Sequence, residues 1–214
     1  MLEKAAELQL VVPGAVLVGG TAAALHARHR ESHDNDHVLA DLAERYDTVL
    51  ENLEALGDFT LHRAQPGKII LGELGGIETG VRQMLRSRPL ETTTMSVNGK
   101  ALVVPTAQEI LRVKAWLALS RNQTRDYLDV AALADRIGIV ESATVLAQID
   151  EYYADVNRGE QPVATQLVRQ LSDPRPRDEE VTHQLDHYKA LATPWQDWAS
   201  VRSVLSRLTE AMLA

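Results

Sequence analysis

Polar and apolar positions change period several times along the first hundred residues, which predicts a mixture of helices and strands. Glu3–Leu10 has the spacing of a short helix, and Ala15–Val18 is an apolar run typical of a buried strand. Gly19-Gly20 then predicts a tight turn. Ala22–His29 is expected to be a helix, because half of it is alanine, the residue with the highest helix propensity.

The mixed pattern continues to about residue 106. A short strand is expected near 34–39, and Asp41–Leu56 has the apolar stripe of an amphipathic helix. Asn98-Gly99 is a strong hairpin signal. The other elements expected here are strands over Phe59–His62, Lys68–Leu74, Thr92–Val97 and Lys100–Val104, and a short helix over Gly80–Arg88.

Only helical patterns follow residue 107. The expected helices are Ile110–Leu119, Asp126–Ile137, Ala143–Val156, Val163–Leu171, Asp178–Leu191 and Asp197–Met212. A mixed first part and an all-helical last part predict an α+β fold. We expect a core domain over 1–106 and a helical C-terminal region over 107–214 that packs on it.

Composition excludes several classes of protein. The chain has 214 residues, 45% hydrophobic and 24% charged, which is ordinary for a globular protein. It has no cysteine, so disulfides, zinc thiolates and thiol catalysis are excluded. No apolar run approaches the ~20 residues that span a bilayer, and the N-terminus lacks the layout of a signal peptide. We therefore expect a cytoplasmic protein without a membrane partner.

Charge is distributed unevenly along the chain. The net charge is −8, yet residues 61–125 carry ten bases and four acids, whereas 31–60 carry nine acids and one base. A basic middle segment can bind phosphates locally whatever the total charge. Solvated surfaces with an uneven charge distribution would explain the same pattern.

Two aspartates are the first candidates for chemistry. Residues two apart on a strand project from the same face, so Asp34 and Asp36 would bring two carboxylates together. Such oxygens repel each other unless a divalent cation lies between them. Transfer of phosphoryl or nucleotidyl groups uses Mg²⁺ in this way. Two exposed loop aspartates would give the same sequence.

The preceding glycines add a second candidate feature. A Gly19-Gly20 turn would let backbone N–H groups approach a phosphate, and the N-terminus of the following helix adds partial positive charge. The Thr21 hydroxyl is available to the same ligand. A simple tight turn is the alternative.

The combination of these residues resembles a known signature. Gly19-Gly20-Thr21-Ala22 followed by alternating Arg30, Ser32, Asp34 and Asp36 is similar to nucleotidyltransferase-fold proteins. The resemblance is greatest to the AbiEii/AbiGii toxin type, the toxin half of type IV toxin–antitoxin pairs. A second motif extends it across about residues 14–136: Pro105-Thr106, Glu109-Ile110-Leu111 and Lys114, then Arg125-Asp126 and Asp129.

The resemblance implies a polymerase-beta-like mixed sheet with flanking helices, followed by a C-terminal helical region. It implies that Asp34 and Asp36 bind Mg²⁺ and that Lys114 and Asp126 complete the catalytic set. The nucleotide-binding residues would be Gly19, Gly20, Thr21, Arg30, Ser32 and Lys114. The implied partners are a nucleoside triphosphate, tRNA or another RNA as acceptor, and an antitoxin protein.

Some assignments stay open. Lys114 would bind the triphosphate or lie at the surface, and Asp126 and Asp129 could instead be structural partners of Lys114 or Arg125. Enzymes of this fold usually have a third carboxylate on a neighbouring strand, and Lys68–Leu74 contains no aspartate. Glu73 and Glu78 are the nearest substitutes. His26 and His29 are expected on a helix surface.

The sequence is therefore compatible with three functions. The first is an Mg²⁺-dependent enzyme that moves a nucleotide from a triphosphate to an acceptor hydroxyl and releases pyrophosphate. The second is a degenerate domain that binds nucleotide or a partner without turnover, which the missing strand aspartate favours. The third is a small-molecule transferase of the antibiotic-modifying kind.

Overall fold

The computed structural model describes residues 1–188 and 190–214, which form two compact units. Unit 1 comprises Met1–Ala22 and Ser32–Thr106, and unit 2 comprises Ala23–Glu31 and Ala107–Ala214. The short segment 23–31 therefore belongs to the unit formed by the second half of the chain. Each unit is described by itself below.

Unit 1 contains the mixed α and β part of the chain. Its elements are α1 (Leu2–Val11), β1 (Val16–Leu17), the start of α2 (Gly19–Ala27), β2 (Asn35–Leu39), α3 (Leu42–Glu54), β3 (Phe59–Gln65), β4 (Ile69–Leu74), β5 (Ile77–Gln83), β6 (Thr92–Val97) and β7 (Lys100–Pro105). The first five strands form one sheet in the order β1-β2-β5-β4-β3. β2 and β5 are parallel, and the other neighbouring pairs are antiparallel.

One face of this sheet is covered by α1 and α3. The core there joins Leu8 of α1 and Val12, which follows α1, to Val49 and Leu53 of α3 and to buried sheet residues. The sheet contributes Leu39, Ile70, Leu74 and Val81. Alternation along a strand sends the intervening residues to the opposite face. The register places Asp36 beside Gly80, and Gly80 beside Leu71, on that second face.

The predicted helix over Gly80–Arg88 is wrong, because the segment begins with the end of β5, Gly80–Gln83, and residues 84–88 are not helical. Val81, Met84 and Leu85 have helical spacing, but Val81 instead enters the sheet core while Leu85 is 78% exposed. β5 pairs with β2 on one side and β4 on the other, so its backbone hydrogen bonds are satisfied by two neighbours. Tertiary pairing therefore overrides the local pattern.

The predicted hairpin around Asn98-Gly99 is confirmed as β6 and β7. It packs on α1 through the Gln9 side chain, which donates to the Val103 carbonyl at 2.8 Å and accepts from the Val103 N–H at 2.7 Å. Lys100 also forms an ion pair with Glu7 of α1 at 2.7 Å. α1 thus satisfies backbone groups that β7 does not use in pairing with β6.

Unit 2 is helical, as predicted for the second half of the chain. Besides the end of α2, it contains α4 (Ala107–Arg121), α5 (Thr124–Ile137), α6 (Ile139–Ala147), α7 (Asp150–Tyr153), α8 (Val163–Ser172), α9 (Glu179–Thr182) and α10 (Trp198–Leu213). The long helix expected over Asp178–Leu191 is wrong: α9 ends at Thr182, and a 3-10 turn follows over Leu185–His187. The helix expected over Ala143–Val156 is divided between α6 and α7. In the described ranges, no helix has the length and apolar content required to cross a bilayer.

Candidate active site

The two candidate aspartates lie where β2 begins. Asn35, His37 and Leu39 face the core and are almost completely buried, whereas Asp34 and Asp36 alternate with them and are partly exposed. Burial alternates with a period of two because successive residues of a strand project to opposite faces of the sheet. The Asp36 side chain is 33% exposed, so its carboxylate is accessible to solvent.

The start of α2 lies directly against Asp36. The helix begins at Gly19 itself, so the predicted glycine turn is instead the first turn of the helix. Gly19 has φ +72°, and a Cβ there would lie 3.1 Å from Asp36 Oδ2. Only glycine gives this backbone conformation and this close approach without strain. The Thr21 hydroxyl donates to the Asp34 carbonyl, which fixes the helix start to the beginning of β2.

The carboxylates have different neighbours. Ser32 Oγ donates to Asp34 Oδ1 at 2.8 Å. Arg82 Nε lies 3.5 Å from Asp36 Oδ1, with the arginine side chain 41% exposed. A neutral donor therefore lies beside Asp34 and a cation beside Asp36, and both of these contacts come from residues of unit 1.

The position beside Asp36 on the neighbouring parallel strand is Gly80. Glu78 and Glu73 lie opposite each other on β5 and β4, on the same sheet face as Asp36. In residues 1–188 and 190–214, no group of three or more histidine, aspartate or glutamate side chains is arranged to hold a metal ion. The structure therefore does not assemble Glu73 or Glu78 with the aspartate pair into a three-carboxylate centre.

The donor set still suits one kind of metal. Mg²⁺ is usually held by one or two carboxylates, with water and substrate phosphate oxygens completing its coordination. Asp34 and Asp36 supply two carboxylates, and Gly19 leaves the space beside Asp36 Oδ2 that a Cβ would fill. The residues present therefore fit Mg²⁺ bound together with a phosphate ligand.

A second group of predicted residues meets in unit 2. Asp129 is fully buried and contacts three basic side chains. Arg30 approaches it with Nε at 2.9 Å and a terminal nitrogen at 3.1 Å, Lys114 Nζ lies at 2.6 Å and His29 Nε2 at 2.7 Å. Burial raises the pKa of the Asp129 carboxyl, but the Lys114 and Arg30 charges outweigh burial and hold this pKa well below its usual value.

Asp126 completes this cluster. Its Oδ1 lies 3.4 Å from Lys114 Nζ, and its Oδ2 is buried with no hydrogen-bond partner among the residues described. The Lys114 side chain is only 4% exposed. The contacts of Lys114 and Arg30 are therefore those of a buried ion-pair cluster, and their predicted contacts with nucleotide remain predictions.

Sequence reasoning misplaced one residue of these groups and missed a contact of another. His29 is completely buried against Asp129, so its placement on a helix surface was wrong. Arg82 was not connected with Asp36, because the pairing depends on the register between β2 and β5. Its position two residues after the glycine beside Asp36 becomes meaningful only once β5 is known to be a strand.

Solved structures with similar folds are nucleotidyltransferases. MenT4, a nucleotidyltransferase toxin of Mycobacterium tuberculosis H37Rv, aligns with a TM-score of 0.58 and 19% identity over 98% of this chain and 82% of that protein. The antibiotic-resistance factor ANT(2'')-Ia aligns with a TM-score of 0.53 and 13% identity over 72% of this chain and 92% of that protein. The predicted α+β nucleotidyltransferase fold is therefore confirmed.

Sequence relatives are of a different kind. The heme uptake protein MmpL11 of Mycobacterium tuberculosis H37Rv is 43% identical over 112 residues, which are 50% of this chain and 11% of that protein. The mycolic acid-containing lipids exporter MmpL11 of Mycolicibacterium smegmatis is 38% identical over 131 residues, 60% of this chain and 13% of that protein. The chain thus spans about a tenth of the length of these relatives. No protein-family model matches the sequence.

Proposed function

We propose that this chain is an Mg²⁺-dependent nucleotidyltransferase with its metal and phosphate site at Asp34, Asp36 and the start of α2. The observation that carries the proposal is the approach of Gly19 to the Asp36 carboxylate, at 3.1 Å from a Cβ position to Oδ2. A helix N-terminus and two accessible carboxylates in one place suit a metal–triphosphate complex.

Each residue of the proposed site would have a separate function. Asp34 and Asp36 hold Mg²⁺, which supplies neutralisation of the triphosphate charge when bound. The first N–H groups of a helix have no partner within that helix, so those of Gly19, Gly20 and Thr21 are suited to phosphate oxygens. Ser32 keeps the Asp34 carboxylate in one orientation through its hydrogen bond. The acceptor hydroxyl would attack the α-phosphorus, and pyrophosphate would leave.

Lys114, Asp126 and Arg30 enter the proposal through the resemblance to AbiEii/AbiGii toxins. Their contacts in unit 2 support a structural function as well, because Asp129 links Arg30 and Lys114. The two functions predict different results for Lys114→Met. A catalytic lysine gives loss of turnover in a protein that still melts near the wild-type temperature, and a structural lysine gives a large fall in that temperature.

The acceptor is proposed to be tRNA or another RNA, and the biological setting a cytoplasmic toxin–antitoxin pair. The resemblance to AbiEii/AbiGii toxins supports both choices, and the similarity to MenT4, a nucleotidyltransferase toxin, supports the toxin setting. The ten bases between residues 61 and 125 are compatible with an RNA ligand.

The test is transfer of label from each α-phosphate-labelled triphosphate to total tRNA in the presence of Mg²⁺. We expect label on RNA with at least one triphosphate, and its loss in Asp36→Asn. An aminoglycoside in place of tRNA tests the small-molecule alternative, since ANT(2'')-Ia is known in complex with adenylyl-2''-tobramycin. Absence of transfer to either acceptor, with any triphosphate, contradicts the enzyme proposal.

A nucleotide-binding module without turnover is the second candidate. Glycine occupies the position beside Asp36 on β5, and about half of the chain is shared with MmpL11 proteins named as transport or export proteins. A binding function in a transport setting would need no base to activate an acceptor. Equilibrium binding of a triphosphate with Mg²⁺, in a protein that releases no pyrophosphate with any acceptor, would favour this candidate.

A further inference from the structure

Arg82 stands at an unusual place for a cation. Its guanidinium contacts Asp36, one of the two carboxylates that suit a metal ion, at 3.5 Å from Nε to Oδ1. The contact is diagonal across two parallel strands, because Asp36 pairs with Gly80 and Arg82 follows two residues later on the same face.

The position directly beside Asp36 on β5 is occupied by Gly80. At Gly80 a Cβ would lie 2.8 Å from Leu71 Cδ2 and 3.3 Å from Asp36 Oδ1, so Leu71 and the carboxylate close over this glycine. A carboxylate-bearing residue at this position would meet both. At the positions considered, β5 therefore places no side chain directly beside Asp36, because Gly80 lies there, and it supplies a positive charge two residues later, at Arg82.

Two consequences follow for ligand binding. The guanidinium charge beside Asp36 Oδ1 repels a bare divalent cation at this carboxylate, which weakens binding of the cation. A nucleoside triphosphate that arrives with the cation offers the guanidinium phosphate oxygens, which arginine binds through charge-assisted hydrogen bonds. With 41% of its side chain exposed, Arg82 has freedom to make this exchange.

We propose that Arg82 is a nucleotide-binding residue that couples metal binding to nucleotide binding, so that the site takes up the cation as its complex with a triphosphate and discriminates against the free cation. This inference rests on the proposed function of Asp34 and Asp36. It assigns to Arg82 contact with the β- or γ-phosphate in the loaded site and contact with Asp36 in the empty one.

The test measures Mn²⁺ binding by electron paramagnetic resonance on the full chain, with and without an α,β-methylene triphosphate that is not turned over. In Arg82→Gln we expect free Mn²⁺ to bind about threefold more tightly, the size of an exposed ion pair. We expect the same variant to bind the Mn²⁺–triphosphate complex about tenfold more weakly, through loss of a charge-assisted hydrogen bond. The two shifts have opposite signs, which a general loss of structure would not produce.

Matched variants complete the design. Arg63 lies on the same sheet face, opposite Leu71, about three strand spacings or roughly 14 Å from Asp36. Arg63→Gln makes the same change of charge and should leave both affinities within about twofold of wild type. Arg82→Lys keeps the charge and should restore part of the coupling.

The outcomes separate this inference from the proposed function. Opposite shifts in Arg82→Gln support the coupling. Unchanged free Mn²⁺ affinity, or shifts of the same sign, overturns it even if wild type binds the triphosphate. Failure of wild type to bind any Mn²⁺–triphosphate complex overturns the proposed function, and the inference with it.

Discussion

Two pairs of aspartates in this protein share a chemistry and differ in environment. Asp34 and Asp36 in unit 1 are partly exposed, with a serine hydroxyl and one exposed arginine as neighbours. Asp126 and Asp129 in unit 2 are fully buried with Lys114, and Asp129 also contacts Arg30 and His29. The first pair keeps oxygens available to a ligand, whereas the charge of the second is neutralised within the protein.

A carboxylate motif therefore acquires its function from the cations around it. A buried carboxylate with several basic partners is ionised at all ordinary pH values and holds its helices together. A carboxylate beside a single exposed guanidinium can exchange that partner for a metal ion. In the sequence alone, the two pairs are similar acidic motifs.

Asp129→Asn gives the largest expected effect, because it removes the charge that neutralises the buried basic side chains of unit 2. We expect the free energy of unfolding to fall by about 3–5 kcal/mol. Urea denaturation measures it. The matched control is Asp36→Asn in unit 1, which is partly exposed and should cost less than about 1 kcal/mol. Equal losses of unfolding free energy for the two substitutions would contradict this difference between the buried and the partly exposed aspartates.

His37 lies on the strand that carries Asp36. It tests the effect of burial on a titratable side chain without an ionic partner. Burial lowers its pKa from 6.5 to about 4. Between these values the unfolded chain binds a proton that the folded chain does not, so stability is complete above pH 6.5 and falls as pH drops to 4. The loss should be about 3 kcal/mol over this interval.

The measurement is urea denaturation from pH 7 to 4 in wild type, His37→Gln and His62→Gln. His37→Gln should show a flatter dependence on pH, whatever its own effect on stability. His62 is exposed on β3, so His62→Gln should keep the wild-type slope. Parallel curves for wild type and His37→Gln would contradict the assignment.

Gly19→Ala tests whether the partly exposed aspartate pair of unit 1 requires glycine next to Asp36. Gly19 and Gly57 both have positive φ, +72° and +77°, but only at Gly19 would a Cβ meet the Asp36 carboxylate. Each substitution should cost about 1–2 kcal/mol of stability through backbone strain. Only Gly19→Ala should also weaken Mn²⁺–triphosphate binding, measured by electron paramagnetic resonance. Equal binding by the two variants would remove Gly19 from the site.

Ser32→Ala has the smallest expected effect. It removes the hydrogen bond that orients Asp34, at 2.8 Å, and leaves both carboxylates in place. Loss of such an outer contact should weaken the binding of Mn²⁺–triphosphate by about tenfold. Ser32→Thr retains a hydroxyl and serves as control, and an unchanged affinity in Ser32→Ala would show that Asp34 is oriented without it.

The sequence predicted those features that depend on local periodicity. The polar and apolar positions near 34–39 correctly predicted a strand, and the hairpin signal Asn98-Gly99 correctly predicted β6 and β7. β5 was mistaken for a helix because its short apolar spacing fits both periods and its pairing partners are distant in the chain. Local pattern is weakest for a strand that is central in its sheet.

The contacts of the candidate site could be predicted only in part. Arg30 and Asp129 are 99 residues apart, and their ion pair depends on packing that no local pattern encodes. The assignment of His29 to a surface failed for the same reason. The relation of Arg82 to Asp36 required the register of two strands that are joined by α3, β3 and β4 in the chain.

The contact between Gln9 and Val103 has a consequence for solubility. An unpaired strand edge can template the addition of another chain and so start aggregation. The Gln9 amide satisfies both backbone groups of Val103 and thus takes the place of a neighbouring strand. α1 therefore opposes intermolecular β-pairing along β7. One glutamine is well suited to this, because its side-chain amide has both a donor and an acceptor.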